Sequence, residues 1–352
     1  MEFDLIARIR DRCAHRRGDV ALGIGDDAAL LDVPAGQQLV ACTDTLVAGV
    51  HFPVATAPED IGWKALAVNL SDLAAMGAEP VWALLALTLP DADARFVERF
   101  ADGFAALAGK HAVALIGGDT TQGPLSITVT ALGFVPRGAA LTRGGAHAGD
   151  AVFVTGALGD AAGALHELQD SGLGLRRQDA GANTGKADGP EGEPQERRVS
   201  RDSKPRLEAS RKRLLQRMRR PRPRVAAGLA LHGVASACID VSDGLLADLR
   251  HVCTASGVGA EVDADALPFS AELRAEFDDA ACRDFALTGG DDYELCFTVP
   301  PGCEDRVAAA LAAAGCDATR IGRVVAGSGV RIMDAQGNVV TPPRAGWEHF
   351  SR

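Results

Sequence analysis

Apolar positions along the chain recur with two periods, and each period marks a kind of element. Gln38 to Cys42 reads as a strand running into Thr43-Asp44-Thr45. Asp60 to Met76 carries apolar residues at helical spacing and stops at Gly77. Val81 to Leu89 is a continuous apolar run of strand length, and Phe96 to Lys110 returns to the helical period. Ala112 to Ile116 predicts a strand ending at Gly117-Gly118-Asp119, and Leu125 to Val135 alternates as a half-buried strand does. Further along come a helix from Val225 to His232, a short strand into Asp240, and a helix from Gly244 to Ser256. A strand from Tyr293 to Val299, a helix from Glu304 to Ala314, and strands near 320–325 and 329–333 follow. Strands and helices mix without a strict βαβ rhythm, which predicts an α+β architecture rather than a doubly wound sheet.

One stretch breaks the periodicity. Gly181 to Pro205 is polar and rich in Gly, Pro and Glu, which predicts a flexible surface insertion. A basic helix is expected from about Arg206 to Arg220, ended by Pro221 and Pro223. Residues 176–224 hold 16 Lys/Arg against 7 Asp/Glu. With a net charge of −11 for all 352 residues, the remainder carries about −20, which argues against broad nucleic-acid binding. A solvated excursion is the plainer reading of the basic segment, and an arm for an acidic partner is the alternative.

Other classes are narrowed by composition. The most apolar stretch, Val225 to Ile239, is too short to span a bilayer and contains His232. Met1-Glu2-Phe3-Asp4 lacks a basic n-region, so a cytoplasmic protein is expected. The eight cysteines have no CxxC spacing and read as reduced thiols. Gly23-Ile24-Gly25-Asp26-Asp27-Ala28 matches GxGxxA on paper, but Ala29 to Pro34 reads as a strand, where a dinucleotide site needs a helix N-terminus. Gly185-Lys186 lacks the rest of a Walker A loop.

What remains is acidic. Asp26, Asp27, Asp44, Asp72, Asp119, Asp240, Asp243, Asp291 and Asp292 stand beside glycines or near the ends of expected strands. Each alone is compatible with a turn or a cap, as Asp243 before Gly244 would be. Together they need cations, and Mg2+, which shares its shell between carboxylates, water and phosphate oxygens, is the natural one. Arg143, in Leu141-Thr142-Arg143-Gly144-Gly145, is a candidate phosphate fork. The residues therefore point to Mg2+–nucleotide chemistry without a P-loop. A nucleotide or metal sensor using the same carboxylates remains open at this level.

The ordered motifs resemble the thiamine-monophosphate kinases of the aminoimidazole-ribonucleotide synthetase superfamily. They are Gly23-Ile24-Gly25-Asp26-Asp27-Ala28-Ala29-Leu30-Leu31, Thr43-Asp44-Thr45 through His51-Phe52, and Lys64-Ala65-Leu66-Ala67-Val68 through Ser71-Asp72 to Met76-Gly77. Gly117-Gly118-Asp119-Thr120-Thr121, Leu141-Thr142-Arg143 and Ile239-Asp240-Val241-Ser242-Asp243-Gly244 follow. Gly289-Gly290-Asp291-Asp292-Tyr293-Glu294-Leu295 and Gly346-Trp347-Glu348-His349-Phe350 complete the set. The resemblance covers nearly the whole chain outside about 176–212.

It implies direct in-line transfer of the ATP γ-phosphate to thiamine monophosphate, the last step in making thiamine diphosphate. It implies two α+β domains, 1–140 and 141–352, with the N-terminal sheet forming a homodimer interface. Asp27, Thr43, Asp44, Asp72, Asp119, Asp240 and Asp243 would hold several Mg2+ ions, with K+ as an additional candidate. Cys42 would join them through its backbone carbonyl. Gly118, Asp119, Arg143 and Ser242 would contact ATP; His51, Asp291 and Trp347 would contact thiamine monophosphate. No membrane or nucleic-acid partner is implied. Three departures stand out: Cys42 where some members have serine, Asp291 where others have glutamate, and the basic insertion.

Overall fold

The computed structural model describes residues 2–13, 15–170 and 204–341. In chain order the elements are α1 (Glu2–Arg12), β1 (Val20–Leu22), β2 (Leu30–Leu31), β3 (Gln37–Val47), α2 (Pro58–Ala75), β4 (Glu79–Leu89), α3 (Ala94–Lys110), β5 (Ala114–Gln122) and β6 (Ser126–Pro136). Then come β7 (Ala151–Thr155), α4 (Asp160–Asp170), α5 (Lys204–Arg219), α6 (Val225–Ala230), β8 (Ala237–Asp240), α7 (Leu245–Ser256), β9 (Gly259–Asp263), α8 (Ala271–Glu276) and α9 (Asp279–Thr288). The chain closes with β10 (Leu295–Val299), α10 (Asp305–Ala312), β11 (Ala318–Val325), β12 (Gly329–Met333) and β13 (Val339–Val340).

Two larger sheets organise these elements, in agreement with the α+β expectation. The first has the order β3-β6-β4-β5 and the second β13-β12-β9-β11-β7-β10-β8. Alternation along the first sheet sends Leu46, Leu85, Leu87, Ile127 and Val129 inward against α2 and α3. Its opposite face is open, with Leu39 and Leu84 exposed there beside Thr43 and Thr45. The β1–β2 ribbon covers one end of the sheet around Trp82, Ile116 and Phe134, and Trp82 donates its indole N–H to Asp19.

Helix α2 decides where the chemistry sits. It is buried on nearly every side, because it lies between the first sheet, α3, and α6 and β8 of the second half. Glycines make these crossings possible. A Cβ on Gly62 would lie 2.0 Å from the Phe100 carbonyl oxygen, and one on Gly228 would lie 2.0 Å from that of Ala74. So α2 carries Lys64, Asn69, Ser71 and Asp72 into the seam between the two halves of the molecule.

Two expectations need correction. β5 does not end at Gly117; it runs to Gln122, paired in parallel with β4. Gly118 permits this, since a Cβ there would lie 1.8 Å from the Leu85 carbonyl oxygen. The basic segment is also less free than its composition predicts. From Lys204 it is the helix α5, and its arginines pair with acids of α4 and α8: Arg211 with Glu167 and Glu276, Arg213 with Glu272, Arg217 with Asp160. The stretch from 171 to 203 lies outside the described residues.

Candidate functional site

The carboxylates meet at the seam. β3 alternation turns Cys42 and Asp44 toward α2, whose Ser71 and Asp72 face back, and β8 delivers Asp240 at its C-terminal end. Ser71 Oγ donates to Asp240 Oδ2 at 2.7 Å, and the Cys42 thiol donates to the Asn69 carbonyl at 3.3 Å.

The charges press on one another. Burial, then the charges of Asp240 and Asp44, pushes the Asp72 carboxyl up to about 8, against a partial relief from Arg143. Burial raises Asp240 as well, with the Ser71 hydroxyl pulling the other way and Asp44 adding to the rise. Asp44 is raised by burial and by Asp243, and its hydrogen bond with Asp72 moderates this. The Cys42 thiol is raised by burial and by Asp72 and Asp44, so it is a proton-bearing neighbour rather than a thiolate ligand.

Three loops fix the rim. In the first, Asp243 does not cap α7; Gly244, at φ +113, occupies the cap position. Asp248, one turn into the helix, reaches back instead and accepts the N–H groups of Ser242 and Asp243 at 3.0 and 3.1 Å. Burial and then Asp240 and Asp243 raise the Asp248 carboxyl to about 7. In the second loop, Ser256 donates to the Arg143 carbonyl at 3.1 Å and accepts the N–H groups of Gly145 and Ala146. That pins the backbone from which the Arg143 side chain extends.

The third loop, 289–294, is zipped to β8's exit by Asp291 N–H to the Ser242 carbonyl (2.9 Å) and Tyr293 N–H to the Val241 carbonyl (2.8 Å). Gly290 must be glycine, because a Cβ would lie 2.4 Å from the Ser242 carbonyl oxygen. Asp291 and Tyr293 both hold positive φ, +71° and +53°, an uncommon state for non-glycine residues. Lys64 Nζ, almost wholly buried, donates to Asp291 Oδ2 at 2.7 Å and to the His51 carbonyl at 3.2 Å. The Tyr293 hydroxyl donates to Asp291 Oδ1 at 2.9 Å. A single lysine thereby ties together two of the three residues expected at the substrate, His51 and Asp291, one from each half of the molecule. Beside them is a recess of about 350 Å³, open to solvent, walled by His51, Phe52, Ile61, Met218 and Asp291 among others. His51 Nδ1 accepts the Val47 N–H, which leaves Nε2 as the protonated nitrogen.

Not every expected site residue reaches this seam. Thr43 points to the other face of β3, where its hydroxyl donates to the Val129 carbonyl. Asp119 is on that open face too, in one transverse row with Ala86, Thr128 and Thr45. Asp27 is exposed in the loop between β1 and β2, and its N–H is bound by Asp26. Gly118 neighbours Asp119 in β5, and Ser242 lies beside Asp243 in the α7 loop. Asp292 turns away to the Gly159 N–H. Trp347 lies outside the described residues.

Asp248 and Ser256 lie outside every expected motif, and Lys64, Ser71 and Tyr293 lie inside the motifs but were assigned no role. Asp248 had the best available signal, a carboxylate in the first turn of a helix that opens on glycine.

Comparisons with known proteins place the chain in a family. Residues 25–135 match the family model for the AIR synthase related protein N-terminal domain, and 147–335 match the C-terminal domain. A thiamine-monophosphate kinase from Salmonella typhimurium is 45% identical over 350 residues, 99% of this chain and 98% of that protein. Its Bacillus subtilis counterpart is 37% identical over 85% of this chain and 83% of its own. The solved thiamine-monophosphate kinase from Stenotrophomonas maltophilia superposes with a TM-score of 0.80 at 50% identity, covering 96% of this chain and 98% of that one. A structure described as AaThiL complexed with AMPPCP and TMP superposes at 0.71 and 32% identity, covering 99% and 97%. The hydrogenase maturation protein HypE of Escherichia coli, at 21% identity and 0.70, shares the fold.

Proposed function

The chain belongs to the AIR synthase related family, and from that membership we propose that its seam transfers the γ-phosphate of ATP to thiamine monophosphate, giving thiamine diphosphate and ADP. The observation that carries the reading is the convergence of Asp44, Asp72, Asp240 and Asp243 from both halves of the molecule beside a solvent-open recess.

A divalent cation fits this donor set. Buried carboxylates that raise one another's proton affinity, with Arg143 as a neighbouring positive charge, are relieved by a cation between them. Among the described residues no three acidic, histidine or cysteine side chains converge tightly enough to cage an ion alone. Mg2+ takes few carboxylates and completes its shell with water and phosphate oxygens. Asp44, Asp72, Asp240 and Asp243 are the ligands we assign at the seam, with Cys42 contributing its backbone carbonyl; Asp27, Asp119 and Thr43, which stand outside it, would hold further ions. K+ is a further candidate at the same rim. When bound, the ions supply neutralisation of the two phosphate chains as they approach.

The chain's own residues do the rest. The acceptor phosphate has a second pKa near 6, so it is a nucleophile at neutral pH without a general base. An acceptor oxygen forms a bond to the γ-phosphorus as the bond to the β,γ-bridging oxygen breaks and ADP departs. Arg143, its backbone pinned by Ser256, presents a planar fork to the transferring group. Gly118 and Ser242 bring backbone close to ATP, with Asp119 beside them. His51 and Asp291 receive the acceptor, and Trp347 stacks on it. Asp248 keeps the Ser242–Asp243 turn in register for both substrates. Transfer is direct, with no phosphoenzyme.

The open face of the first sheet, with Leu39 and Leu84 exposed, is where we place the homodimer contact. No helix among the described residues is long and apolar enough to cross a membrane. All eight cysteines are free, which suits the reducing cytoplasm where we place the enzyme.

Phosphorus NMR on the purified protein with ATP, Mg2+ and thiamine monophosphate tests the reading. Thiamine diphosphate and ADP should appear together and only with the acceptor present. ATP consumed without that product would assign a different acceptor. Binding of Mg2+–ATP with no turnover would leave a sensor.

A further inference from the structure

The loop from 289 to 294 holds two non-glycine residues at positive φ, and one of them is an aromatic, Tyr293. For a bulky side chain that backbone state costs about 1–3 kcal/mol, and it persists only where the surroundings over-determine it. Here they do. Tyr293 N–H donates to the Val241 carbonyl, and Val241 N–H donates to the Glu294 carbonyl, both at 2.8 Å. The next side chain, Glu294, is 4% exposed and makes a bidentate pair with Arg224, whose Nε donates to Oε2 at 2.7 Å. The Thr155 hydroxyl donates to the same oxygen at 2.6 Å and accepts the Leu295 N–H at 2.8 Å, which ties the start of β10 to the end of β7. Gly156 leaves space for the pair, since a Cβ there would lie 2.3 Å from Glu294 Oε1.

The strained backbone separates neighbouring side chains. Asp292 reaches the Gly159 N–H, while Asp291 and Tyr293 meet each other, the Tyr293 hydroxyl donating to Asp291 Oδ1 at 2.9 Å. Lys64 Nζ donates to the other oxygen, Oδ2, at 2.7 Å. One donor leaves a carboxylate free to rock about its last torsion, which is soft and two-fold. A second donor on the other oxygen fixes its plane. Tyr293 is the chain's one tyrosine and is 7% exposed, and its phenol also feels the charges of Asp44 and Asp240. It therefore stands between the carboxylates of the seam and the carboxylate on the recess wall.

Resting on the kinase reading, we infer that Tyr293 is a positioning residue whose hydroxyl fixes the plane of the Asp291 carboxylate before the acceptor arrives. It acts through Asp291 and not on the substrate. Each Asp291 oxygen keeps a lone pair after accepting from Lys64 or Tyr293, so the fixed carboxylate still accepts from a donor on the ligand. A carboxylate already held in its bound orientation takes its ligand without the cost of ordering it. The Arg224–Glu294 pair and Thr155 hold the backbone state from which the Tyr293 ring reaches back two residues, which gives the buried ion pair a place in the site as well as in the fold.

Steady-state kinetics on Tyr293→Phe, which keeps the ring and removes the hydroxyl, test this. The KM for thiamine monophosphate should rise about tenfold, the effect of losing one hydrogen bond to a charged group, with kcat within about threefold of the parent. The KM for ATP and the melting temperature should not move. In an Asp291→Ala background the same substitution should change kcat/KM no further, because the residue through which Tyr293 acts is gone. A second reading uses the parent sequence. With 3-fluorotyrosine in place of tyrosine the chain carries a single fluorine resonance. In the presence of Mg2+ and a non-hydrolysable ATP analogue, thiamine monophosphate should shift that resonance in the parent and leave it in place in Asp291→Ala. An unchanged KM in Tyr293→Phe, additive losses in the double variant, or a resonance that ignores thiamine monophosphate overturns the positioning role while leaving the kinase standing. A parent protein that forms no thiamine diphosphate overturns both.

Discussion

Replacing Asp72 by asparagine should stabilise the metal-free protein while abolishing most turnover. Burial, Asp240 and Asp44 raise this carboxyl from 3.8 to about 8. The ionised form is therefore disfavoured in the folded state. Below about pH 4 the group is protonated folded and unfolded, and it contributes no difference. Between about pH 4 and pH 8 the unfolded chain ionises first, so the parent loses stability as pH rises, with the full loss above pH 8. At 1.36 kcal/mol per pKa unit, the ceiling is about 6 kcal/mol. The strain is shared with Asp44 and Asp240, and solvent reaching the rim screens part of it, so about 1–3 kcal/mol is expected. Urea unfolding in chelator reads it directly. Asp72→Asn should be the more stable protein at pH 8, and the gap should close as the pH is lowered toward 5. Added Mg2+ should stabilise the parent more than the variant, and increasingly so at higher pH. A variant no more stable than the parent in chelator at pH 8, or a gap that does not shrink on acidification, would refute the reasoning.

Other outcomes follow from single contacts. Asp119→Asn should cut turnover at least a hundredfold by removing charge stabilisation at the phosphates, and leave unfolding within about 0.5 kcal/mol because the side chain is exposed; near-normal turnover in the purified variant would remove the metal assignment there. Lys64→Met should cost about 1–3 kcal/mol in urea unfolding, the buried-pair penalty discounted because the Asp291 side chain is 36% exposed. The same variant should raise the KM for thiamine monophosphate without raising that for ATP, and an unchanged KM would separate the Lys64 clamp from the substrate. Gly62→Ala should destabilise by about 3 kcal/mol, since its methyl would press into the Phe100 carbonyl where α2 crosses α3; a variant unfolding at the parent's urea concentration would mean the crossing can open without cost.

Much of the site was readable because metal–phosphate chemistry uses a narrow set of residue types. Clustered aspartates beside glycines carry that meaning in one dimension, so Asp44, Asp72, Asp240 and Asp243 could be named from the chain. The helical and alternating periods likewise located α2, α3, β4 and β6, because each element buries one recurring face. β7, five residues buried on every side, leaves no period to read and was not anticipated. β5 ran past its glycines because the deciding contact, Gly118 against the Leu85 carbonyl, comes from a neighbouring strand.

Partnership between distant residues was the part the linear chain could not express. Nothing in the order of residues says that Lys64 meets Asp291, or that Asp248 turns back to hold Ser242. Those pairings depend on how α2 is wedged between the two sheets, and that is fixed by close backbone crossings and buried area summed over the whole interior. Residue chemistry is a local property and was set by the sequence itself; which donors find which acceptors is a property of packing, and only the folded structure decided it.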